Sequence, residues 1–446
     1  MECVRKNYQS LGRLRSADFS VLKPSSCVLK FGAYKSEVYQ KMAPGPGFEP
    51  GYTAPKAVVL PLDDPGIPNY YTISLCCLGR CCLVQRRTLS WQKNRWTGGV
   101  GTTVADHEYK YTAGPWNIHT GADPFGPPVR DEVDFAEKVA KLKEIGYHGV
   151  QFHDDDVVSA EADAATTEKV AGQVKKLLDD HGMVAEFVAP RLWEHPNTID
   201  GGYTSNDPAM RKYALERSKR SIDIARMIGT KNIVLWPARE GTYIRESKDP
   251  VTATQRAVDY INALLDYDKE IRIIGEMKPN EPMDHAYNPT CGHFIALAYK
   301  TIDPDRVGVN IESAHAILAG LDPSDEMAFA LWHKKLWAVH LNDQNGLKFD
   351  EDKAFGAVNL RSAFNQVWVL DRYGYGKNGE MVGFDVKALR TTTPEKRYQH
   401  LINSKIIFEH LLAIVRSLDN AKIEELRAKR DYETLELYIV EKLMGK

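Results

Sequence analysis

The chain has 446 residues, of which 43% are hydrophobic and 26% are charged. This length accommodates one large α/β barrel with extra segments, or two to three ordinary domains. The formal net charge of -2 excludes a general electrostatic attraction to nucleic acid or to an anionic membrane. The most apolar window, residues 70–84, is interrupted by Arg80 and is too short to span a bilayer.

The first part of the chain, residues 1–105, differs in composition from the rest. Residues 1–100 contain fourteen Lys and Arg against six Asp and Glu. They show neither helical nor strand periodicity, so we expect residues 1–105 to form an irregular, disordered N-terminal extension. The run at 45–51 resembles peptides that arise when transfer-RNA genes are translated conceptually. We therefore hypothesise that the extension is a spurious upstream read-through and that the native protein starts near residue 100.

The cysteines predict a reducing compartment. Six of the seven lie in residues 1–100, and Cys291 is alone in the remainder, which argues against a disulfide framework. The first twenty residues alternate charged and polar side chains, unlike a signal peptide, so we expect a cytoplasmic location. The doublets Cys76-Cys77 and Cys81-Cys82 raise the alternative of a metal knuckle, although they lack the usual spacing of zinc ligands.

From residue 106 to residue 418, short apolar segments alternate eight times with longer amphipathic ones. The predicted strands are residues 109–116, 149–153, 184–189, 232–236, 271–278, 307–312, 336–341 and 382–386. The predicted helices are residues 132–145, 164–181, 208–228, 252–267, 292–300, 324–333, 360–370 and 394–418. Eight consecutive βα units predict an α/β fold, a (β/α)8 TIM barrel that forms the catalytic domain. Residues 419–446 are predicted to form a C-terminal helical tail with oligomer contacts.

A barrel of this kind carries its functional residues where the strands end. The polar and aromatic residues at the predicted strand ends are Trp116, His153, Asp156, Trp236, Glu276, Lys278, Glu312, His315, His340, Asn342 and Asp385, and the loop after the seventh strand adds Asp350 and Asp352. Each of these residues, taken alone, is also explained by a purely structural role. Their joint occurrence at one edge of the barrel predicts a site.

The fifth strand end carries a carboxylate and an ammonium that share one face. Glu276 and Lys278 are two residues apart, and in a strand this spacing points both side chains in the same direction. Pro279 has no backbone donor, so it ends the strand at this point. The alternative is a solvated Glu/Lys pair, which contributes little to stability.

Five carboxylates would repel one another at this edge unless cations lay between them. They are Glu276, Glu312, Asp350, Asp352 and Asp385. Oxygen-rich coordination selects hard divalent ions, with magnesium first and manganese or cobalt next. Two alternatives remain open. The acidic residues Asp350 and Asp352 are also typical of a solvated turn, and Glu312 with His315 is also typical of a helix N-terminus beside a core histidine.

Several motifs in chain order resemble those of the xylose isomerase, or glucose isomerase, family. They are Phe-His-Asp-Asp-Asp at 152–156, Trp236 with Arg-Glu-Gly at 239–241, Glu-x-Lys-Pro-Asn-Glu-Pro at 276–282, Asn-Asp-Gln-Asn-Gly at 342–346 with Asp350-x-Asp352, and Phe384-Asp385-x-Lys387. The resemblance runs from about residue 109 to about residue 418. It does not cover residues 1–100.

The resemblance implies an isomerase that converts D-xylose to D-xylulose, and D-glucose to D-fructose, by ring opening and a metal-assisted 1,2-hydride shift. It also implies two divalent cations per subunit, magnesium, manganese or cobalt, and a homo-oligomer that is usually a tetramer. The C-terminal tail looks shorter than the arm of family members. Dimer and tetramer therefore both remain open.

The resemblance also implies roles for single residues. His153, held by Asp156, would assist opening of the cyclic sugar, and Lys278 would polarise the carbonyl oxygen on carbon 1. The residues implied to contact substrate are Trp116, Trp236, Asn342 and Phe125, the last as an aromatic contributed to a neighbouring subunit. The implied metal ligands are Glu276, Glu312, His315, His340, Asp350, Asp352 and Asp385. His340 stands where the family usually has an aspartate, so we expect a shift from magnesium toward manganese or cobalt.

Three other functions are alternatives to a xylose isomerase. A different metal-dependent TIM barrel, such as a sugar epimerase or a phosphodiester-cleaving endonuclease, also crowds carboxylates and histidines at its strand ends. An endonuclease would require a basic rim, whereas residues 101–446 contain forty-four basic against fifty-four acidic residues. A non-catalytic sugar binder would not require His153, Asp156 and Lys278 together. These comparisons favour a sugar isomerase with no nucleic-acid or membrane partner.

Overall fold

The eight predicted strands form a closed parallel barrel in the computed structural model, which describes residues 107–446. The barrel strands are β1 Tyr111–Ala113, β2 Gly149–His153, β3 Val184–Ala189, β4 Asn232–Leu235, β5 Arg272–Glu276, β6 Val307–Glu312, β7 Leu336–Leu341 and β8 Val382–Phe384. Each strand pairs with its neighbours in chain order, and β8 closes the barrel against β1. The prediction of a (β/α)8 TIM barrel is therefore confirmed. The predicted extension 1–105 and its cysteine doublets lie outside the described residues.

Helices follow the strands and cover the outside of the barrel. They are α1 Phe135–Glu144, α2 Asp154–Val157, α3 Ala164–Asp180, α4 Pro208–Ile228, α5 Pro250–Tyr267, α6 Cys291–Ala298, α7 Ser313–Leu318, α8 Pro323–Trp332, α9 Leu360–Arg372, α10 Gln399–Arg416, α11 Asn420–Lys429 and α12 Tyr432–Leu443. Across residues 107–446, none of the helices combines the length and apolar character that crossing a bilayer requires.

Helix α4 shows how local sequence sets these boundaries. The Asp207 side chain accepts a hydrogen bond from the backbone of Ala209, and Pro208 fills the first helical position, where a missing N–H costs nothing. The helix stops at Gly229, whose φ of 92° is a left-handed conformation that glycine adopts without a steric penalty.

Several element boundaries differ from the prediction, and two strand ends and one helix start illustrate the local causes. Strand β1 stops at Ala113 because Gly114 and Pro115 start a 3-10 turn that carries Trp116. Strand β5 stops at Glu276, so Lys278 lies in the loop and not in the strand. The last predicted helix begins at Gln399 and not at residue 394, because a separate 3-10 turn comes first.

The barrel has an apolar interior with one polar patch near its centre. Phe187, Ala189, Val234, Ile274 and Ala338 form a buried cluster inside the barrel, separate from the larger core between strands and helices. This apolar layer lies directly beneath the strand ends. The bottom of the site is therefore lined by apolar side chains.

The polar patch surrounds Glu186, where strand β3 carries one extra residue relative to β2. Glu186 accepts hydrogen bonds from Thr112 Oγ1 at 2.5 Å and from Gln151 Nε2 at 2.9 Å. Burial raises the pKa of this carboxyl, while the two hydrogen bonds act against the shift. The carboxyl therefore has partners although it is cut off from water.

The C-terminal residues 419–446 form helices α11 and α12, as predicted. Ile423 and Ile439 are buried in the same core as the barrel helices. The guanidinium of Arg372 on α9 also donates to Glu424 at 3.0 Å. The tail therefore packs against its own chain, and its contacts with other subunits stay a prediction.

Candidate active site

A cavity of about 310 Å³ opens at the carboxyl ends of the barrel strands. All seven predicted metal ligands line it, together with Trp116, His153, Trp236 and Lys278. The lining residues that the sequence did not single out are Phe187, Ala189, Arg191, Trp193, Glu194, Val234 and Lys387. The structure thus brings together residues that lie more than 260 positions apart in the chain.

A larger groove of about 750 Å³ lies on the other side of Lys387. Its walls are formed largely by threonine, lysine, asparagine and alanine side chains, and the described residues that line it include no carboxylate. Volume alone would favour this groove. We assign the candidate site to the smaller cavity because the converging charged side chains lie there.

Glu312, at the end of β6, lies at the centre of the charged residues. Its Oε1 is 3.2 Å from Nε2 of His315 and accepts a hydrogen bond from Asn342 Nδ2 at 2.9 Å. His315 Nε2 is also 3.1 Å from Oδ2 of Asp350. One ring nitrogen therefore faces two carboxylates, and a single N–H can satisfy only one of them well.

His340, at the same level on β7, faces three carboxylates. Its Nδ1 lies 3.3 Å from Glu276 Oε2, 3.5 Å from Glu312 Oε2 and 3.8 Å from Asp385 Oδ2. The residue is 2% exposed, and neither ring nitrogen makes a hydrogen bond. Buried polar atoms in native proteins normally have partners, so two orphaned nitrogens beside three carboxylates indicate a ligand position.

Lys278 projects into the cavity from the loop after β5. Its Nζ donates to Asp350 Oδ2 at 3.0 Å, lies 2.9 Å from Glu281 Oε2, and sits 5.3 Å from the ring centroid of Trp236. Burial acts to lower the pKa of this ammonium, but the charges of Asp350 and Glu281 dominate and raise it to about 12. Lys278 is therefore a fixed cation at neutral pH.

The opposite end of the carboxylate cluster is held by Lys387 and Asn342. Lys387 Nζ forms a close ion pair with Asp352, and the Asn342 amide donates to Asp352 Oδ1 at 3.1 Å. Asn342 Oδ1 accepts from the backbone of Ala314 at 2.8 Å. Asn342, predicted to bind substrate, is not among the cavity-lining residues, and its contacts are with Glu312 and Asp352 instead.

The other side of the cavity is aromatic. The His153 ring lies between Trp116, at 4.3 Å between centroids, and Trp193, at 5.2 Å. Trp193 in turn meets Trp236 edge to face at 4.6 Å. Trp116 Nε1 donates to Asp385 Oδ1 at 3.0 Å, which fixes this wall to the carboxylate side.

Besides Asn342, two further predicted residues lie outside the cavity lining. Asp156 lies behind His153, with its Oδ2 at 3.0 Å from His153 Nδ1. Phe125 lies in a turn closed by backbone hydrogen bonds between Asp123 and Gly126, and its side chain is 91% exposed. A lone chain therefore leaves Phe125 in solvent.

The pKa directions divide the carboxylates into two groups. Burial and the neighbouring charge of Asp350 raise the pKa of Glu312 and of Asp352 well above the usual range. Burial also acts to raise the pKa of Glu276, but the charge of His340 outweighs it and lowers the value to about 2. Without a cation, the cluster must hold protons at Glu312 and Asp352 to relieve its own repulsion.

A divalent cation fits this donor set. Three groups have ligand atoms within 4.8 Å of one another: Glu276, Glu312 and His315; Glu312, His340 and Asp385; and Glu312, Asp350 and Asp352. Atoms that share one ion at 2.0 to 2.6 Å lie within about 5 Å of one another. Glu312 belongs to all three of these groups, so it is a possible ligand whichever group holds a cation.

Comparison with known proteins agrees with the fold. Residues 139–376, more than half of the chain, match a family described as the xylose isomerase-like TIM barrel. The chain belongs to this family. The resemblance noted in the sequence is thus confirmed at the level of the xylose isomerase-like TIM barrel family, and the specific activity stays a prediction.

Solved structures of sugar epimerases share the fold of this xylose isomerase-like TIM barrel. A D-tagatose 3-epimerase-like protein matches with a TM-score of 0.53 and 16% identity, covering 70% of this chain and 99% of its own. An L-ribulose 3-epimerase matches with a TM-score of 0.51 and 14% identity, covering 72% and 98%. A D-psicose 3-epimerase determined in the presence of D-fructose gives 0.50 and 14%, covering 68% and 99%. At such identities the likeness shows the fold alone.

Sequence reasoning assigned no role to five charged or aromatic members of the site, which are Phe187, Arg191, Trp193, Glu194 and Lys387. Arg191 and Trp193 follow β3 after Pro190, in a loop whose direction no periodicity reveals. Lys387 was quoted within a motif but was given no role. Its position two residues after Asp385 is the same spacing that drew attention to Glu276 and Lys278, and that signal could have identified it.

Proposed function

We propose that this chain is a metal-dependent aldose–ketose isomerase that converts D-xylose to D-xylulose, and D-glucose to D-fructose, by a 1,2-hydride shift. One observation carries the proposal. The permanently charged Lys278 points into a cavity of about 310 Å³, between a cluster of carboxylates on one side and Trp236 on the other. A cavity of this size is at the small end of ligand sites and suits a single sugar.

The carboxylates and histidines would hold two divalent cations. Glu276, Glu312, His340 and Asp385 would bind one, and Glu312, His315, Asp350 and Asp352 would bind the other. When bound, such cations supply Lewis acidity, which holds substrate oxygens and offsets the negative charge that develops on them. The raised pKa of Glu312 and Asp352 supports this assignment, because a cation removes the repulsion that keeps them protonated.

Lys278 would act on the carbonyl oxygen of the open-chain sugar. Its ammonium donates hydrogen bonds in a nearly water-free site, where they stabilise an oxyanion more strongly than in water. Asp350 and Glu281 keep the side chain in place. Hydride transfer from carbon 2 to carbon 1 would then form the carbonyl at carbon 2, while the proton of the hydroxyl on carbon 2 passes to the oxygen on carbon 1. No protein base would remove the migrating hydrogen as a proton.

The aromatic wall would exclude water from this step. Trp116, Trp193, Trp236 and Phe187 line the cavity opposite the carboxylates. A dry site prevents the migrating hydrogen from exchanging with solvent, as it would in an enediol intermediate. His153, on the same wall, would assist opening of the cyclic sugar.

His340 would change the metal preference of its site. An imidazole brings no negative charge and is a softer donor than a carboxylate, so manganese or cobalt is expected to support activity better than magnesium. Titrating the metal-free protein with each ion tests this expectation. Higher activity with magnesium than with manganese would contradict it.

A sugar 3-epimerase is the second candidate, since the solved structures that share this fold include proteins of that name. Epimerisation would invert a single carbon of a ketose by removing and returning a proton. It would not convert an aldose to a ketose. The two reactions therefore differ in substrate and product, and both differ from a binder that performs neither.

The deciding experiment supplies xylose, glucose and, separately, a ketose to metal-stripped protein that is reloaded with magnesium, manganese or cobalt. Ketose formation from the aldoses, only with metal and absent in Lys278→Ala, supports the isomerase. Lys348→Ala is the matched control, because Lys348 is a partly exposed lysine that pairs with Glu351 away from the cavity. Inversion of the ketose without aldose conversion would support the epimerase, and no reaction with any metal would support the binder.

We further propose the organisation of the chain in the cell. Residues 106–418 act as the catalytic barrel domain, and residues 419–446 contribute to contacts in a homodimer or homotetramer. The exposed Phe125 supports such an assembly, because an aromatic side chain at a loop tip suits insertion into a partner. The scarcity of cysteine after residue 100 supports a cytoplasmic location.

A further inference from the structure

Arg191, which lines the cavity beside His153, contacts the imidazole ring at Nδ1. Its Nη2 lies 2.7 Å from His153 Nδ1, a normal hydrogen-bond distance. The same nitrogen lies 3.3 Å from Asp156 Oδ1, and Arg191 Nε donates to Asp155 Oδ1 at 2.7 Å. The guanidinium is therefore held against the imidazole by carboxylates on two sides.

This contact restricts where His153 can carry its proton. A guanidinium has five N–H donors, no acceptor, and stays charged at any ordinary pH. His153 Nδ1 must therefore offer its lone pair to Arg191, and the proton of the neutral ring must be on Nε2. A doubly protonated imidazolium would bring two cationic N–H groups together at 2.7 Å, which the charge of Arg191 disfavours.

Asp156 does not need the Nδ1 proton. Its Oδ2 lies 3.0 Å from Nδ1, but the same oxygen already accepts the backbone N–H of His153 at 2.8 Å. Its Oδ1 receives Arg191. Both oxygens of the carboxylate therefore have a donor without the Nδ1 proton, so Asp156 stays hydrogen-bonded when that proton is on Nε2.

The ring cannot reverse its orientation at low cost. Trp116 and Trp193 pack on His153 at 4.3 and 5.2 Å between centroids. A half-turn of the ring would present a carbon atom to Arg191 and to Asp156, and would leave their donors and acceptors without partners. The packing and the hydrogen bonds therefore select the same orientation.

Arg191 is also unsuited to hold an anionic substrate. Its third nitrogen, Nη1, donates to Glu194 at 3.2 Å, so all three nitrogens face protein acceptors. Neighbouring Arg217 pairs with Asp154 and Asp155 in the same way. With four carboxylates around two guanidinium groups, this cluster has no positive charge to spare for a ligand.

We infer that Arg191 is a positioning residue that fixes His153 as the neutral tautomer with its proton on Nε2, the ring nitrogen that neither Arg191 nor Asp156 contacts. His153 then offers a hydrogen-bond donor to a sugar oxygen, and it cannot accept a proton at Nε2 until Arg191 releases Nδ1. The tautomer follows from the contacts alone. Its consequence for ring opening rests on the proposed function.

The tautomer is measured directly by long-range proton–nitrogen correlation NMR on the full-length chain with ¹⁵N-labelled histidine. The chain has 13 histidines, and loss of one signal set in His153→Gln assigns the ring. We expect the ¹⁵N chemical shift of His153 Nδ1 to be that of an unprotonated imidazole nitrogen, and the shift of Nε2 to be that of a protonated one. A protonated Nδ1 in the wild-type spectrum would overturn the inference without reference to any variant.

Variants show whether Arg191 is the cause. In Arg191→Leu we expect the proton to move to Nδ1, where Asp156 becomes its acceptor, and Nε2 to become unprotonated. Glu194→Gln is the matched control, because it removes an Arg191 partner that does not contact His153, and its tautomer should stay unchanged. An unchanged tautomer in a folded Arg191→Leu protein, verified by its circular dichroism, would reject the role of Arg191.

The result is separable from the proposed isomerisation. If the protein forms no ketose with any metal but the tautomer is as expected, the inference about Arg191 stands and the isomerase proposal fails. If ketose forms but His153 carries its proton on Nδ1, the isomerase proposal stands and the inference about Arg191 fails. The two failures therefore have different readouts.

Discussion

The two sides of the cavity are built from the same number of strands but handle charge in opposite ways. On the side of β1 to β4, the charged side chains that line the cavity have partners, as Arg191 has with Asp155 at 2.7 Å and with Asp156 at 3.3 Å. On the side of β5 to β8, carboxylates converge on Glu312, and His340 has no hydrogen bond although it is buried. The charged side chains of the first side therefore find their partners within the folded chain.

The difference indicates which side requires something from outside the chain. The raised pKa values of Glu312 and Asp352 reflect burial and repulsion between neighbouring carboxylates. Such clusters are typical of sites where a bound cation neutralises the repulsion. The aromatic side needs only its own residues to position His153. The predictions below separate the two sides, since changes on one should alter metal binding and changes on the other should not.

The largest effect is expected from Glu312→Gln. Glu312 belongs to all three candidate ligand groups, so both cation positions should weaken together and isomerase activity should fall about 1000-fold or more. Isothermal titration with manganese measures the loss. Glu194→Gln, on the aromatic side of the same cavity, is the control that should bind manganese normally. Normal binding by Glu312→Gln would show that the cluster is not a metal site.

Lys278→Met should lower the rate of ketose formation by about 100- to 1000-fold, because the cation that polarises the carbonyl is lost. The metal affinity should change far less than in Glu312→Gln, since Lys278 is not a ligand. Steady-state kinetics with manganese, together with titration calorimetry, separates the two effects. Full activity in the variant would remove Lys278 from the mechanism.

His340→Asp should reverse the metal preference, because the carboxylate restores a hard, charged donor beside Glu276 and Asp385. We expect the ratio of manganese to magnesium affinity to fall by about 10-fold or more. Competition titrations report this ratio without any turnover. An unchanged ratio would mean that the His340 ring does not coordinate.

The smallest effect concerns the stability of the metal-free protein. Burial and Asp350 raise the pKa of Glu312 and Asp352, so the folded state binds their protons more tightly than the unfolded state does. The contribution of these two carboxyls to stability should therefore increase as the pH falls from neutral toward the unfolded values of about 4, with about 2 to 4 °C in Tm for each kcal/mol. His400, whose pKa is lowered to about 4 by burial, acts in the opposite direction over this range. Glu276 and Asp350, whose pKa values are lowered, lose their contribution only below that range.

Thermal melts in chelator at pH 7, 6 and 5 test this sign. In Glu312→Gln the dependence should flatten, because one of the two proton-binding carboxyls is gone. A variant with the same pH dependence as the wild type would show that Glu312 and the repulsion around it do not contribute to stability in this range.

The sequence was sufficient to predict the barrel and most of the carboxylate side. Strands β2, β3, β6 and β7 have the predicted bounds, because their apolar runs begin and end at clear changes of polarity. The clustering of these carboxylates and histidines followed from the rule that parallel strands bring their carboxyl ends to one edge. That rule places a residue such as Glu312 at the edge but does not tell which of its neighbours it contacts.

The aromatic side was predicted less completely, for a physical reason. Arg191 and Trp193 lie in a loop after Pro190, and loop direction depends on packing that periodicity does not encode. The pairing of Arg217 with Asp154 joins residues 63 positions apart, across two elements. The competition of Arg191 with Asp156 for one imidazole nitrogen likewise becomes visible only with distances in hand.

The central claim, a metal-assisted hydride shift in a dry cavity, is tested most directly with xylose that carries deuterium at carbon 2. The manganese-loaded protein should convert it to xylulose with the deuterium retained at carbon 1, as seen by NMR or mass spectrometry in ordinary water. Loss of the deuterium to solvent would show that a proton is removed and returned, which would contradict the hydride shift. Absence of ketose would contradict the isomerase itself.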